Sequence, residues 1–181
     1  MAAPRNYAAV RAGEPPNLLA RALAALDSHS ASFAQRDVIA VADFAAQSSL
    51  PRLQLIDIGN GRILSTHLVS HGRGSDPGNS GWVERFSNVY GSNASCRGAF
   101  VTGGAYVGKH GRSRRLHGLD PDNSNAAGRG IVIHAAKYVN QDIAANLGRV
   151  GRSQGCFAVS NADIAEVLDK LGPGRLLFAG R

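Results

Sequence analysis

The sequence predicts a single domain built mostly from short strands, with a few helices. Three observations carry this. Short β-branched or apolar runs recur along the chain, clear helical spacing appears at only two places, and Gly 22 in 181 residues provides for many turns. A hydrophobic content of 44% with 18% charged residues suits a chain that buries a core. The length fits one main domain, residues 37–181, behind an N-terminal extension, residues 1–36, that carries one amphipathic helix.

Residues 1–14 read as a poorly ordered lead-in, and Pro15-Pro16-Asn17 sets up a helix start. Leu18, Leu19, Ala22, Leu23 and Leu26 then recur at helical spacing, which predicts a helix over 17–29 used for packing. Val38-Ile39-Ala40-Val41-Ala42 reads as a buried strand, and Ala45 to Pro51 as a connection. Leu53–Ile58 and Arg62–Val69 flank Gly59-Asn60-Gly61. An Asn-Gly pair between such runs favours a tight hairpin, because both central residues accept positive φ.

From His71 to Gly98 the chain is rich in Gly, Ser and Asn, which predicts a long irregular segment near a site, anchored to the core by Trp82, Phe86 and Tyr90. Strand character resumes at Phe100–Thr102 and Ala105–Val107 around Gly103-Gly104. It returns at Arg114–Leu119 and at Gly130–His134, with a turn region at Asp120–Asn125 between them. Ser160, with Asp163 three residues on, resembles a capping box ahead of the stripe Ile164, Val167, Leu168, Leu171. Gly172-Pro173-Gly174 stops that helix, and Leu176-Leu177-Phe178 forms a terminal strand.

Lys+Arg 20 against Asp+Glu 13 gives a formal net charge of +7, which suits an anionic partner. Nucleic acid is disfavoured: the basic residues are scattered, and the few aromatics are not interleaved with them as a stacking surface requires. The nearest approach to a basic cluster, Lys109–Arg115, reads as a loop or solvated edge. No stretch has the roughly 18 apolar residues of a membrane span, and Met1–Arg5 lacks the apolar core of a secretory signal.

The chemistry concentrates at Gly151-Arg152-Ser153-Gln154-Gly155-Cys156, with His134 ending a β-branched run 22 positions earlier (156 − 134). A thiol is a strong nucleophile only as thiolate, so it needs a base or a cation beside it. His134, Arg149 and Arg152 are the nearest such groups in sequence. Gly155 lets the backbone bend sharply, and the N–H groups of Gly155 and Cys156 are candidates to receive an oxyanion. Ser153 either supports that site or holds the loop by a local hydrogen bond. The same pattern also fits a buried, inert cysteine with a satisfied core histidine. Cys96 is the other cysteine, and a Cys96–Cys156 disulfide would silence the nucleophile.

Among the remaining histidines, His117 either lines the cleft or helps to fix His134, or is simply a hydrogen-bonded strand histidine, the reading favoured here, whereas His67, His71 and His110 read as loop or surface residues. His71 is the best placed of these three for substrate contact. A metal held by Cys156, His134 and His117 lacks the paired short spacing of metal motifs, so neither metal nor cofactor is expected.

Ile133-His134-Ala135 with Ser153-Gln154-Gly155-Cys156 resembles the L,D-transpeptidase catalytic domain of YkuD type, in its murein L,D-transpeptidase branch. The likeness runs over residues 38–178. It includes Ser70–Ser75, Phe86-Ser87-Asn88, Gly108-Lys109-His110-Gly111, Arg115–Leu119 and Ala127–His134. Two departures stand out: Phe157-Ala158 follows the cysteine where better-known members have a branched residue and an arginine, and Ala135-Ala136 follows the histidine where they have glycine and threonine.

The resemblance implies a β-sandwich-like fold and a Cys156 nucleophile that forms a thioester with peptidoglycan stem peptides, with His134 as base oriented by a backbone carbonyl. It implies a cofactor-free transferase of the periplasm or cell envelope, whose export signal is expected to be missing from this sequence, and covalent inactivation by carbapenems. Arg152, Arg149, His117 and His71 are the expected substrate contacts, and the protein is expected to be a monomer. The rivals are a carboxypeptidase that resolves the thioester with water and a non-catalytic peptidoglycan-binding module.

Overall fold

The computed structural model describes residues 17–181, so the expectation for residues 1–14 lies outside the described residues. Asn17 starts the first helix, α1 (Leu18–Ser28). Its side chain accepts the Ala20 N–H, one of the donors that a helix start leaves unpaired. Ala22 and Leu26 of the apolar stripe pack against Ile39, Val41, Ile56, Leu176 and Phe178.

Eight strands follow: β1 (Val38–Asp43), β2 (Leu53–Asp57), β3 (Arg62–His67), β4 (Gly98–Gly108), β5 (Gly111–Gly118), β6 (Val132–Ala135), β7 (Phe157–Val159) and β8 (Leu176–Gly180). They form one sheet in the order β3-β2-β1-β8-β4-β5-β6-β7. Pairing is antiparallel except for β1 with β8 and β6 with β7. The terminal strand β8 therefore sits in the middle of the sheet, and all of its residues are buried. Leu53 and Leu55 of β2 share one buried cluster with Phe157 and Val159 of β7, together with Phe44, Phe100, Leu116, Ile133 and Leu177. Strands from distant places in the sheet order meet there, so one continuous sheet wraps its own core and packs like a sandwich.

Several local expectations are corrected. Asp57 pairs with Arg62, so the β2–β3 loop is residues 58–61 and not a two-residue Asn-Gly turn. Only Gly61 in it has positive φ, at 71°, and Asp57 closes the loop by accepting the Gly59 N–H on its carboxylate and the Gly61 N–H on its carbonyl. Gly103-Gly104 does not separate two strands: it marks a register shift inside the single strand β4. The Lys109–Arg115 cluster is a loop only at its start. Gly108 pairs with Gly111, so Lys109-His110 is a two-residue hairpin tip and the rest belongs to β5.

A helix that the apolar pattern does not reveal, α2 (Gln141–Leu147), is capped by the Asn140 side chain and ended by Gly148 at φ 65°. The last helix, α3 (Ile164–Lys170), begins later than the Ser160 signal suggests, because the Ser160 hydroxyl caps the turn that leads into it. The 71–98 segment is irregular as expected, but only Phe86 of its three aromatics packs on the core. Trp82 is 48% exposed and Tyr90 61%.

Candidate active site

In the parallel β6–β7 pair, Ile133 stands opposite Phe157 and His134 opposite Ala158. Side chains alternate along a strand, so Cys156, two residues before Ala158, falls on the same face as His134, one diagonal step away. The 22-residue separation in sequence is thereby reduced to a neighbour relationship.

His134 is buried, and its Nδ1 lies 2.9 Å from the Ala135 carbonyl oxygen. A carbonyl only accepts, so Nδ1 carries the ring proton and Nε2 is left as the basic nitrogen. Burial is the main cause that pushes the His134 pKa below its usual value. The Ala135 carbonyl opposes this, and the nearby charges of His110 and Lys109 add to it. The imidazole is therefore neutral at neutral pH, the state a general base requires.

Cys156 is half-buried, and its Sγ lies 3.5 Å from the Gly130 carbonyl oxygen. Burial is the main influence and raises its pKa; the Val132 N–H, Arg129 and Lys109 pull in the opposite direction. Thiol and imidazole thus rest uncharged, and the two cations and the Val132 N–H stand ready to stabilise a thiolate once it forms. Tyr138 lies near this sulfur: burial and the Cys156 charge both raise its phenol, which keeps it a hydroxyl donor at neutral pH.

The loop that delivers Cys156 is tied down by its own residues. Ser153 Oγ donates to the Cys156 carbonyl at 2.7 Å and accepts the Gly155 N–H at 3.1 Å. Ser153 therefore holds the loop, and the Gly155 N–H is turned inward, away from the oxyanion role expected for it. Gly155 has φ 114°, and a Cβ there would lie 2.7 Å from the Ala94 carbonyl oxygen, so only glycine fits. The same Ala94 carbonyl accepts from Arg129 at 2.6 Å, and Arg129 also bonds the Ser87 carbonyl at 2.8 Å. One guanidinium thus fastens the 71–98 segment against the site.

Behind this loop lies a buried charged network. Arg52, His71 and Asp76 are 2%, 1% and 0% exposed. Arg52 donates to His71 Nδ1 at 2.7 Å and to the carbonyls of Val69 and Ala46. A guanidinium only donates, so His71 Nε2 carries the proton and gives it to Asp76 at 3.1 Å. Asp76 also accepts from the Ser80 and Gly81 N–H groups, which help to hold its pKa down although burial pushes it up. Burial, with Arg52 beside it, lowers His71 to about 4. Burial lowers Arg52 to about 9, which still leaves it charged. The His71 carbonyl accepts the Ser153 N–H, so the network is the floor on which the cysteine loop rests.

The nominated contacts divide accordingly. His71 is not a surface residue, and with both ring nitrogens engaged it has no face for a substrate; His67 is also buried, near Asp163. Arg152 donates to the Asp76 carbonyl of the 71–98 segment, and Arg149 to that of Leu147 at the end of α2, two residues back in the chain. His117 is exposed on β5 opposite Val101. It lies two residues to one side of the Arg115–Val132 pair and His134 two residues to the other, so it shares the sheet face of His134 without reaching it. Sequence reasoning missed Arg129, Lys109, Tyr138 and the place of His110. Two signals were available: the frame Gly108-Lys109-His110-Gly111, since paired glycines around two residues mark a hairpin tip, and the matched segment Ala127–His134, which holds Arg129. Both cysteines are free; Cys96 is buried in the core, which pushes its thiol up to about 11.

A mostly β domain that sets a thiol beside a neutral imidazole has the layout of the cysteine–histidine enzymes. The chain belongs to the L,D-transpeptidase catalytic domain family: residues 12–179 match its YkuD-type model. No curated protein matches the chain. Among solved structures it is similar to an L,D-transpeptidase from Mycobacterium smegmatis (14% identity, 80% of this chain and 59% of that one, TM-score 0.49). It is also similar to an L,D-transpeptidase from Xylanimonas cellulosilytica (19% identity, 87% and 68%, TM-score 0.48). A third is the helical cell shape determining protein Pgp2 from Campylobacter jejuni (10% identity, 82% and 48%, TM-score 0.52). The chain spans 59% of the first of these proteins. No helix among the described residues is long and apolar enough to cross a membrane.

Proposed function

We propose that this chain is a cysteine acyltransferase of peptidoglycan stem peptides that works in the cell envelope through a Cys156 thioester. The observation that carries the reading is the β6–β7 register, which sets Cys156 and the bare Nε2 side of His134 on one sheet face, with Nδ1 fastened to the Ala135 carbonyl. His134 Nε2 takes the thiol proton as sulfur attacks the carbonyl carbon of a stem amide. The tetrahedral oxyanion collapses, the C–N bond breaks, and the imidazolium returns the proton to the leaving amine. An acceptor amine then attacks the thioester, loses a proton to His134 and displaces sulfur, which recovers a proton.

Tyr138 supplies a hydroxyl donor near the sulfur for the oxyanion in this reading, while Ser153 and Gly155 hold the loop. The exposed Lys109 and His117 meet the substrate on the open side, where a cation suits its carboxylates.

Intact-protein mass spectrometry with tetrapeptide stems, and separately with a carbapenem, tests the proposal on wild type and Cys156→Ala. The expected result is one adduct on wild type only, with release of the terminal D-amino acid. A cross-linked dimer as product supports transfer, and tripeptide alone makes the chain a carboxypeptidase. No adduct and no turnover in reduced protein overturns the enzymatic reading.

A further inference from the structure

His110 sits at the tip of the β4–β5 hairpin, yet its ring lies on that of His134 with centroids 4.2 Å apart and planes 16° from parallel. We propose that His110 is a positioning residue for the base His134, an imidazole laid flat on its face so that the ring cannot turn about its bond to the Ala135 carbonyl. One hydrogen bond leaves a ring free to rotate about the bond axis, and a second restraint on the ring's face removes that freedom.

The hairpin tip is built to supply such a restraint. Gly108 and Gly111 pair around Lys109-His110, Gly111 takes φ 77°, and a Cβ on Gly108 would lie 2.9 Å from the Tyr106 ring. Arg115 covers that ring, its guanidinium carbon 4.4 Å from the centroid. The tip is thus braced from within, and it extends past the last β5–β6 pair, Arg114–Ile133, to reach over His134. His110 is exposed while His134 beneath it is buried, so the tip also shields the base from solvent.

Of the groups around this ring, the tip brings Lys109 and His110, β6 brings the Ala135 carbonyl, and the β7 approach brings Cys156. Arg129 and Tyr138 face the sulfur from the flanking loops. Among the described residues no carboxylate hydrogen-bonds to either imidazole. A proton on one stacked ring therefore opposes a proton on the other, with no anion to offset it.

This inference rests on the proposed function for its kinetic readout only, since the ring itself can be observed directly. The test compares wild type, His110→Ala and His110→Phe by NMR of the His134 ring and by the pH profile of stem-peptide acylation, with folding checked by thermal melts. His110→Ala is expected to abolish the single Nδ1–H tautomer signal and to lower the plateau kcat by about tenfold or more with little change in KM. His110→Phe keeps a flat ring without charge. It should retain the signal and a plateau within about twofold of wild type, while the acid limb moves to higher pH, because His134 then holds its proton longer.

A His134 signal and plateau unchanged in His110→Ala would overturn the proposal, as would equal losses in the Ala and Phe variants. If no stem peptide acylates wild type, the proposed function fails while the NMR comparison still decides the role of His110.

Discussion

The Ser153 hydroxyl donates to the Cys156 carbonyl oxygen at 2.7 Å, so the residue three positions before the cysteine fixes the backbone that carries it. The Ser153 Oγ in turn accepts the Gly155 N–H. Ser153→Ala leaves the buried Gly155 N–H unsatisfied and the Cys156 carbonyl with only the long 3.4 Å bond from the Ser70 hydroxyl, which costs about 1–3 kcal/mol of stability. Urea unfolding is expected to register that loss, with slower acylation of Cys156 beside it. An unchanged midpoint would show that water replaces the hydroxyl.

Gly155→Ala must place a Cβ 2.7 Å from the Ala94 carbonyl at φ 114°. Strain of this kind is worth about 1–3 kcal/mol, and the carbonyl that must move is the one Arg129 grips. Lower thermal stability together with lost acylation is the expected outcome; a variant with wild-type kinetics would mean that the loop tolerates a different path.

The two thiols should separate cleanly. Cys96 is buried with its thiol pushed up to about 11; burial raises the Cys156 thiol as well, but Cys156 is only half-buried, and the Val132 N–H, Arg129 and Lys109 favour its thiolate. Iodoacetamide on the folded protein at mildly alkaline pH should add one label to wild type and none to Cys156→Ala. In denaturant wild type should take two.

Acid should destabilise the fold through His71. Its folded pKa, about 4, lies below the usual 6.5 of the unfolded chain, so on acidification the unfolded state takes the proton first. The contribution is fully present above pH 6.5 and is lost as pH falls toward 4, by about 3 kcal/mol in all. His134, shifted in the same direction, adds to the same slope. Urea titrations at several pH values should show this slope in wild type. In His71→Gln, which keeps a donor and an acceptor without a titrating ring, the slope should be shallower.

Arg129→Met removes the cation that most favours the Cys156 thiolate and frees the carbonyls of Ser87 and Ala94. The thiol pKa should rise further, so acylation should need a higher pH. Amide exchange over residues 87–95 should quicken. Arg129→Lys should restore part of the pH profile but not the exchange protection, because an ammonium cannot reproduce the planar fork.

Most strands and α1 are legible in the chain because apolar alternation and the Asn17 cap act over a few residues. Cys156 and His134 were legible as chemical types: a thiol among glycines and an imidazole at a strand end. Local pattern determined no more than this, since it reports propensity and which side chains alternate; the family itself was legible only in the order of its matched segments along the whole chain.

The tertiary structure alone decided that the last strand lies between β1 and β4, that β6 and β7 pair in parallel, and hence that the thiol and the base share a face. It buried His71 against Arg52, turned the Gly155 N–H inward onto Ser153, and laid His110 on His134. Each of these depends on which distant segments become neighbours. Strand order and register set those neighbours through the shared core of Phe44, Phe100 and Phe157, and no window of sequence contains them.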